Sequence, residues 1–541
     1  MADPILSARD VHVRFATNGG EVHAVRGIDL DLFPGETVAI VGESGAGKSA
    51  FAKAILHLHQ LPFTPNRTQI SGSITLHAPF QARLSDAAPD VIRKVRARAV
   101  GMIFQDALSA LNPVQRIGPQ IDEAVRQADP NARAADIDVQ VRKIAAAIGL
   151  PSPEEKLNAY PHMLSGGQCQ RVVIAIAAVR HPVALLADEP TTALDVTVQA
   201  QILKLLKSLQ EVRGMAMLFI SHDLGVVADI ADRVVVMRAG EVVETGATGA
   251  VFARPEHPYT RSLLASRPSA RARNAASAPE EAAPIIRAKD VSFSYAGGLF
   301  RPERVVPVLD TVSLTVAHGR THGIVGESGS GKSTLGRLLL GFLTPDAGQI
   351  EVAGVTPHSI RAGEARAFRR NVQVVYQDSA TALNPRMTLG RAAAEGLEIH
   401  GVAGTEARRE VGRLFDLVRL PTELMDRFPH EVSGGQRQRV CIARALATKP
   451  KLLIADEPVT ALDVSVQARI LDLFAELQAE LGLTMVFISH DLGVVRALCG
   501  EVTVIQRGRV VEAGPTERVF GQPQSAYTRT LVSSVPRQAW A

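Results

Sequence analysis

The chain has 541 residues, more than a single hydrophobic core normally organises, so two or more domains are expected. Hydrophobic residues make up 46% and charged residues 21%, an ordinary globular balance, and a net charge of +4 from 59 basic and 55 acidic side chains does not by itself point to nucleic acid or an anionic membrane surface. No stretch reaches the roughly 18 uninterrupted apolar residues of a membrane helix, the opening MADPILSARD lacks the pattern of a secretion signal, and three scattered cysteines, Cys169, Cys441 and Cys499, are too few for a disulfide frame or a four-thiolate cluster.

In chain order, the first informative element is TVAIV (37–41), a short apolar run that predicts a buried strand. It opens into Gly42, Glu43, Ser44, Gly45, Ala46, Gly47, Lys48 and Ser49, which satisfy G-x-x-x-x-G-K-[ST], and then into the helical pattern FAKAILHL. Glycines let backbone N–H groups wrap phosphates, and a following helix N-terminus adds partial positive charge. Lys48 would neutralise β- and γ-phosphate oxygens, and Ser49 would coordinate Mg²⁺. Upstream, Phe15 either stacks on a purine or packs in a core. Gln105 follows another apolar strand and precedes an LNP turn, where its amide can reach a metal ion and a water. Far downstream, Ser165, Gly166, Gly167 and Gln168 form a small polar loop before an arginine-bearing helical pattern. VALLADE then predicts a buried strand ending in two acids: Asp188, placed to reach Mg²⁺ through water, and Glu189, placed to polarise an attacking water or accept its proton. AMLFISH predicts a further strand ending at His222, whose imidazole would contact the γ-phosphate and hold that water.

All of this then returns. HGIVGESGSGKST places Gly326, Glu327, Ser328, Gly329, Ser330, Gly331, Lys332, Ser333 and Thr334 as a second phosphate loop, with Tyr295 upstream in the place of Phe15. Gln377, then Ser433, Gly434, Gly435 and Gln436, then Asp456 and Glu457, then His490 follow in the same order. The separation of Ser165 from Glu189 equals that of Ser433 from Glu457, and that of Glu189 from His222 equals that of Glu457 from His490. By contrast, the stretch from Lys48 to Gln105 is longer than that from Lys332 to Gln377. Length change is tolerated at the surface and not within packed catalytic geometry. A repeat of half the chain is domain duplication. It predicts domains at 1–266 and 285–541, joined over 267–284 by an Ala/Pro/Arg/Ser-rich stretch that reads as an exposed linker or a poorly patterned helix. Strands alternating with helices predict an α/β fold with a mainly parallel sheet and a site at the strands' C-terminal ends.

Phosphate loop, Gln loop, Ser-Gly-Gly-Gln signature, Asp-Glu strand end, ALD loop and histidine, in this order and twice, resemble the ATP-binding cassette (ABC) ATPases over nearly the whole chain. The resemblance implies two tandem P-loop domains, each with an antiparallel β subdomain and a helical subdomain. It implies head-to-tail packing, so that Ser165, Gly166, Gly167 and Gln168 close over ATP on the Lys332 loop, while Ser433, Gly434, Gly435 and Gln436 close over ATP on the Lys48 loop. Asp195 and Asp463 would link across that interface. ATP and Mg²⁺ are the implied cofactors, with Ser49, Gln105, Asp188, Ser333, Gln377 and Asp456 on the metal. Ala50 opposite Thr334, and Cys169 opposite Arg437, predict modest asymmetry between two hydrolytic sites. The tails PEHPYTRSLLAS and PQSAYTRTLVSS, with QDALSALNP and QDSATALNP, look like the di- and oligopeptide (nickel-peptide) importer ATPases. That likeness implies a motor at the cytoplasmic face of a bacterial inner membrane. Its expected partners are two separate permease subunits and a periplasmic or lipid-anchored substrate-binding protein, with no nucleic acid. No cysteine-held iron–sulfur cluster is expected. A fused sugar-importer ATPase and a soluble tandem-cassette protein acting on ribosomes are the alternatives; a DNA-repair cassette protein lacks support because zinc-type cysteine sets and long coiled coils are missing.

Overall fold

The computed structural model describes residues 3–17, 20–60, 68–192, 194–266, 283–295, 306–460 and 462–535. Most of the predicted linker, and Ala193 and Ala461 of the two ALD loops, lie outside the described residues. The chain forms two compact units, the first built almost wholly from residues up to 266 and the second from those beyond 282.

The first unit contains strands β1 (Leu6–Thr17), β2 (Gly20–Leu32), β3 (Thr37–Val41), β4 (Thr68–Leu76), β5 (Ala82–Arg83), β6 (Val100–Ile103), β7 (Ala184–Asp188), β8 (Ala216–Ile220), β9 (Arg233–Arg238) and β10 (Glu241–Ala247). Six of them form one sheet in the order β10-β9-β3-β8-β7-β6, parallel throughout except for the β9–β10 hairpin. Helices and a second sheet cover both of its faces, which is why β3, β7 and β8 are continuous apolar runs with every residue buried. The side chains split by parity. Val38, Ile40, Leu186 and Leu218 pack toward Phe51 and the antiparallel sheet β2-β1-β4-β5. Leu185, Ala187, Met217 and Phe219 pack against the helices Ile117–Ala128, Ala134–Ala147 and Gly166–Ala178. A parallel sheet thus sits between an antiparallel layer and a helical layer.

The second unit repeats the plan with β11 (Pro284–Tyr295), β12 (Val306–Ala317), β13 (Thr321–Val325), β14 (Ala347–Val352), β15 (Val372–Val375), β16 (Leu452–Asp456), β17 (Thr484–Ser489), β18 (Glu501–Gln506) and β19 (Arg509–Pro515). The main sheet runs β15-β16-β17-β13-β18-β19, and its antiparallel companion has three strands, β12-β11-β14. The additional β5 of the first unit lies between Lys48 and Gln105, where the first copy of the repeat is the longer one. After β10 and β19 each unit ends in two short helices, Thr248–Ala253 with Pro258–Ala265 and Thr516–Gly521 with Ala526–Ser533. Glu244 anchors the first tail by accepting the N–H groups of Glu256 and His257 at 2.9 and 3.0 Å, and Glu512 does the same for Gln524 and Ser525. No helix among the described residues is long and apolar enough to cross a membrane.

Candidate functional site

The strand order decides which side chains meet. In the first unit β3, β8, β7 and β6 are neighbours and parallel, so the phosphate loop, His222, the Asp188–Glu189 pair and Gln105 all leave the same edge of the sheet. In the second, β13, β17, β16 and β15 carry Lys332, His490, Asp456–Glu457 and Gln377 to the same place.

The phosphate loops are held by their own backbone. Gly42 and Gly47 have φ of 153° and 97°, and a Cβ at either position would collide with a main-chain carbonyl, that of Met237 or that of Ala24. Lys48 is only 5% exposed, and its ammonium donates to the carbonyls of Gly42 and Glu43 at 2.7 and 2.8 Å. Lys332 repeats this with Gly326 and Glu327 at 2.8 and 2.7 Å. Burial pulls the Lys332 ammonium below the usual lysine value, although Glu457 opposes that pull. Ser44, Gly45, Ser328 and Gly329 form the exposed crests of the loops, whereas Ala46 and Ser330 are buried. The helices Lys48–Ile55 and Lys332–Leu339 begin at the lysines, so their free N–H groups lie beside the loops.

Each glutamate sits at the centre of a polar cluster. Gln105 Nε2 donates to Glu189 Oε2 at 2.9 Å, the Thr192 hydroxyl donates to the same oxygen at 2.9 Å, and His222 Nδ1 lies 3.2 Å from it. In the second unit Gln377 and Thr460 donate to Glu457 Oε2 at 3.0 and 3.3 Å, and His490 Nδ1 lies 3.2 Å from Oε1. Burial works against ionisation of Glu189, but the hydrogen bonds and charges of His222, Thr192 and Lys48 outweigh it and bring the carboxyl down to about 2. Glu457 is lowered by the corresponding groups against the same burial. Burial pushes His490 down, yet the hydrogen bond and charge of Glu457 raise it above its ordinary value. Both glutamates adopt a left-handed backbone with φ of 48°, and their N–H groups donate to Ile220 at 3.0 Å and Ile488 at 2.9 Å. That turn lets consecutive acids serve different partners. Asp188 accepts from the Ser49 hydroxyl at 2.7 Å, and Asp456 accepts from Ser333 at 3.1 Å. Both aspartates are raised by burial. A desolvated carboxylate paired with a hydroxyl at the mouth of a phosphate loop is an oxygen donor set suited to a hard divalent cation.

The Ser-Gly-Gly-Gln loops are helix caps in their own units. Ser165 Oγ accepts from the N–H of Gln168, whose side chain accepts from the N–H of Ser165, and Ser433 with Gln436 forms the same box. The two glycines of each loop differ. A Cβ on Gly167 would press on Val198 and one on Gly435 on Val466, whereas a Cβ on Gly166 would meet nothing within 4 Å. Gly434 is nearly as open, with Leu462 at 3.6 Å. Arg437 ties down the second loop by donating to the carbonyls of Val432 and Pro429 at 2.8 and 3.3 Å, where the first loop has only the Cys169 thiol 3.5 Å from Pro161. All three cysteines are free and buried.

Phe15 is half-buried and meets the His59 ring edge-on at 4.9 Å, packed against the first core. Tyr295 is more exposed; it meets Phe293 edge-on, and its hydroxyl accepts from Arg337 at 3.4 Å. Thr334 is buried in the first turn of its helix, while Ala50 leaves no hydroxyl there. Asp195 accepts from the Thr197 hydroxyl at 2.7 Å, and Asp463 occupies the N-cap position of Val464–Leu481. Sequence reasoning missed two pairs. Thr192 and Thr460 bond the glutamates, and their recurrence three residues after Glu189 and Glu457 was a usable signal. Tyr259 and Tyr527 accept the N–H groups of Glu43 and Glu327 at 3.0 Å; both lie in the repeated tails, whose sequence marks the family but not what the tyrosines touch.

The ABC transporter family profile matches residues 25–192 and again 309–460, and the profile for the oligopeptide/dipeptide transporter C-terminal region matches 243–301 and 511–540. The chain is 42% identical to the glutathione import ATP-binding protein GsiA of Salmonella paratyphi A, over 98% of this chain and 89% of that one. It is 44% identical to the peptidoglycan transport ATP-binding protein YejF of Agrobacterium fabrum, over 98% and 96%. A solved structure of cbiO1 from Clostridium perfringens, part of the ABC transporter complex cbiONQ, aligns with 47% of this chain and 97% of its own, at 27% identity and a TM-score of 0.40. With two ATP-binding cassettes in one polypeptide, each followed by an oligopeptide/dipeptide C-terminal region, the chain belongs to the ABC transporter family as a tandem ATPase subunit.

Proposed function

We propose that the chain supplies both ATPase cassettes of a bacterial importer for small peptides or peptide-like solutes, with two nucleotide sites that both hydrolyse ATP. The observation that carries this reading is the duplicated cluster in which Gln, Thr and His converge on one part-buried, ionised glutamate beside an intact phosphate loop. Neither copy is degenerate, which favours a peptide-importer motor over a fused sugar-importer ATPase. The family C-terminal regions and the relatives named for glutathione and peptidoglycan transport support peptide-like cargo.

In each site the phosphate loop and Lys48 or Lys332 would bind the triphosphate, the ammonium keeping its two loop carbonyls and turning its third N–H to a phosphate oxygen. Ser49 with Asp188, and Ser333 with Asp456, are the residues that would hold Mg²⁺, with Gln105 and Gln377 beside them. The metal would supply charge neutralisation at the β- and γ-phosphates. Glu189 and Glu457, kept ionised by His222 and His490, would orient the attacking water and accept its proton. The open faces at Gly166 and Gly434, each at a helix N-terminus, suit close approach to a γ-phosphate held by the other cassette. On that reading ATP joins the cassettes and hydrolysis releases them. Phe15 and Tyr295 would lie against adenine. The cassettes would span 1–266 and 285–541 with the linker between, at the cytoplasmic face of the inner membrane. They would drive two permease subunits fed by a substrate-binding protein.

Replacing Glu189 or Glu457 by glutamine tests the two-site reading. Each single change should lower steady-state ATPase by at least about half, and further where the two sites are coupled, and the double change should lower it by roughly 10²-fold or more while ATP still binds, because positioned proton transfer contributes roughly 10²–10⁴ in rate at each site. A single variant at the parent rate would refute turnover at that site.

A further inference from the structure

The C-terminal tails reach into the phosphate loops at one peptide bond. The unit between Gly42 and Glu43 is engaged on both edges: its carbonyl accepts from the Lys48 ammonium at 2.7 Å, and its N–H donates to the Tyr259 hydroxyl at 3.0 Å. The unit between Gly326 and Glu327 is engaged identically, by Lys332 at 2.8 Å and Tyr527 at 3.0 Å. Gly42 and Gly326, with φ of 153° and 156°, leave that peptide free to rotate unless something holds it. The tyrosines are held in turn. Tyr259 and Leu263 pack with Ala39, Val41, Val234 and Val236, and the Arg238 guanidinium lies 5.2 Å from the Tyr259 ring. Tyr527 and Leu531 pack into the second core.

We infer that Tyr259 and Tyr527 are positioning residues for ATP binding, fixing the peptide plane that in turn fixes the phosphate-binding lysine. The oligopeptide/dipeptide C-terminal region is thereby part of each nucleotide site, and a displacement of that region is felt at the lysine. A hydroxyl suits this role better than a charged group, since it accepts the N–H without adding negative charge beside the phosphates. Burial pushes the Tyr527 hydroxyl up to about 12, so it stays neutral. Nothing comparable is asked of Phe15 or Tyr295, which make no hydrogen bond to the loops among the described contacts.

The inference rests on nucleotide binding at the two phosphate loops, and the test separates the two claims. In the full chain, Tyr259→Phe and Tyr527→Phe, singly and together, keep the ring and remove only the acceptor. Equilibrium ATP binding without magnesium, then KM and kcat for ATP with it, are compared with the parent and with a Lys48→Ala/Lys332→Ala chain. The double phenylalanine chain should show Kd and KM raised roughly three- to tenfold with kcat within about twofold, the span expected for one lost hydrogen bond to a site that persists. Kd and KM within about 1.5-fold of the parent would overturn the inference, leaving the hydroxyl as a mere partner for a buried N–H. So would a fall in kcat with KM unchanged. If the phenylalanine chains prove less stable, the thermal shift produced by saturating ADP, taken from each variant's own nucleotide-free midpoint, compares affinities directly. A reduced shift supports the role and an undiminished one removes it. A Lys48→Ala/Lys332→Ala chain that bound ATP like the parent would sink the nucleotide reading and this inference with it, whereas lysine-dependent binding that the phenylalanine changes leave untouched would overturn this inference alone.

Discussion

At the scale of single residues, the proposed chemistry depends on how a part-buried glutamate stays ionised. Burial alone would push Glu189 above the ordinary glutamate value of 4.5, and the imidazole of His222 is the first of the groups that reverse this. Because the folded value is depressed, the carboxylate's contribution to stability is present above about 4.5 and fades as pH falls toward about 2. For His490 the sign is opposite. Its folded value is raised, so its contribution is present below 6.5 and fades as pH climbs through that higher value. Changing His222 and His490 to alanine should leave both part-buried glutamates without their imidazole partners. The acid limb of the residual ATPase profile should then move to higher pH. A limb that stays in place while the rate falls would mean that the histidines act on phosphate alone. The strand-end acids and histidines were legible in sequence because each terminates an apolar run that only a buried strand explains. The φ of 48° at Glu189 and Glu457 was not, since nothing local marks it. Nor was Tyr259, whose partner Glu43 is brought to it only by the docking of the C-terminal helix on β3 and β9.

At the scale of elements, the helices opening at Ser165 and Ser433 show a single motif meeting two demands. A glycine pair reads from sequence as permission for close approach, with no means of telling which glycine approaches what. The structure divides the labour: Gly167 faces Val198 of its own unit, and Gly166 faces open space. Gly167→Ala should therefore cost roughly 1–3 kcal/mol of stability by overpacking, relieved when Val198→Ala is added. Gly166→Ala should change stability by no more than about 0.5 kcal/mol, as an exposed site without neighbours does. It should nonetheless remove turnover at the one site it closes, lowering steady-state ATPase by about half, and further where the two sites are coupled. Thermal unfolding of the nucleotide-free chain and steady-state ATPase separate the two, and equal behaviour would remove the distinction. The parallel strands were legible as continuous apolar runs. The strands β1 and β2 were less so, because irregularities at Ala8–Val11 and Val13–Arg14 break the alternation that marks a half-exposed strand. The antiparallel layer was expected only through family resemblance.

At the scale of the whole molecule, the duplication was plain in sequence because both copies repeat the same spacings between functional residues. How the copies cooperate is a matter of which loop serves which lysine, and composition cannot encode that. The head-to-tail proposal makes it testable by pairing mutations. If Ser433 closes the Lys48 site, then Lys48→Ala with Ser433→Arg damages one site twice and leaves the other, built from Lys332 and Ser165, whole. If Lys48→Ala is instead combined with Ser165→Arg, each site loses one half and neither is complete. Because two coupled sites can fail together in turnover, the readout should be nucleotide retained and not rate. In a Glu189→Gln/Glu457→Gln background, which should hold ATP without cleaving it, the first combination should retain ATP at one site and the second at none. The two combinations remove similar side chains, so general destabilisation would lower both alike. The opposite ranking, with Lys48→Ala/Ser165→Arg the less damaging, would place each signature loop on its own cassette's nucleotide and end the case for shared pockets.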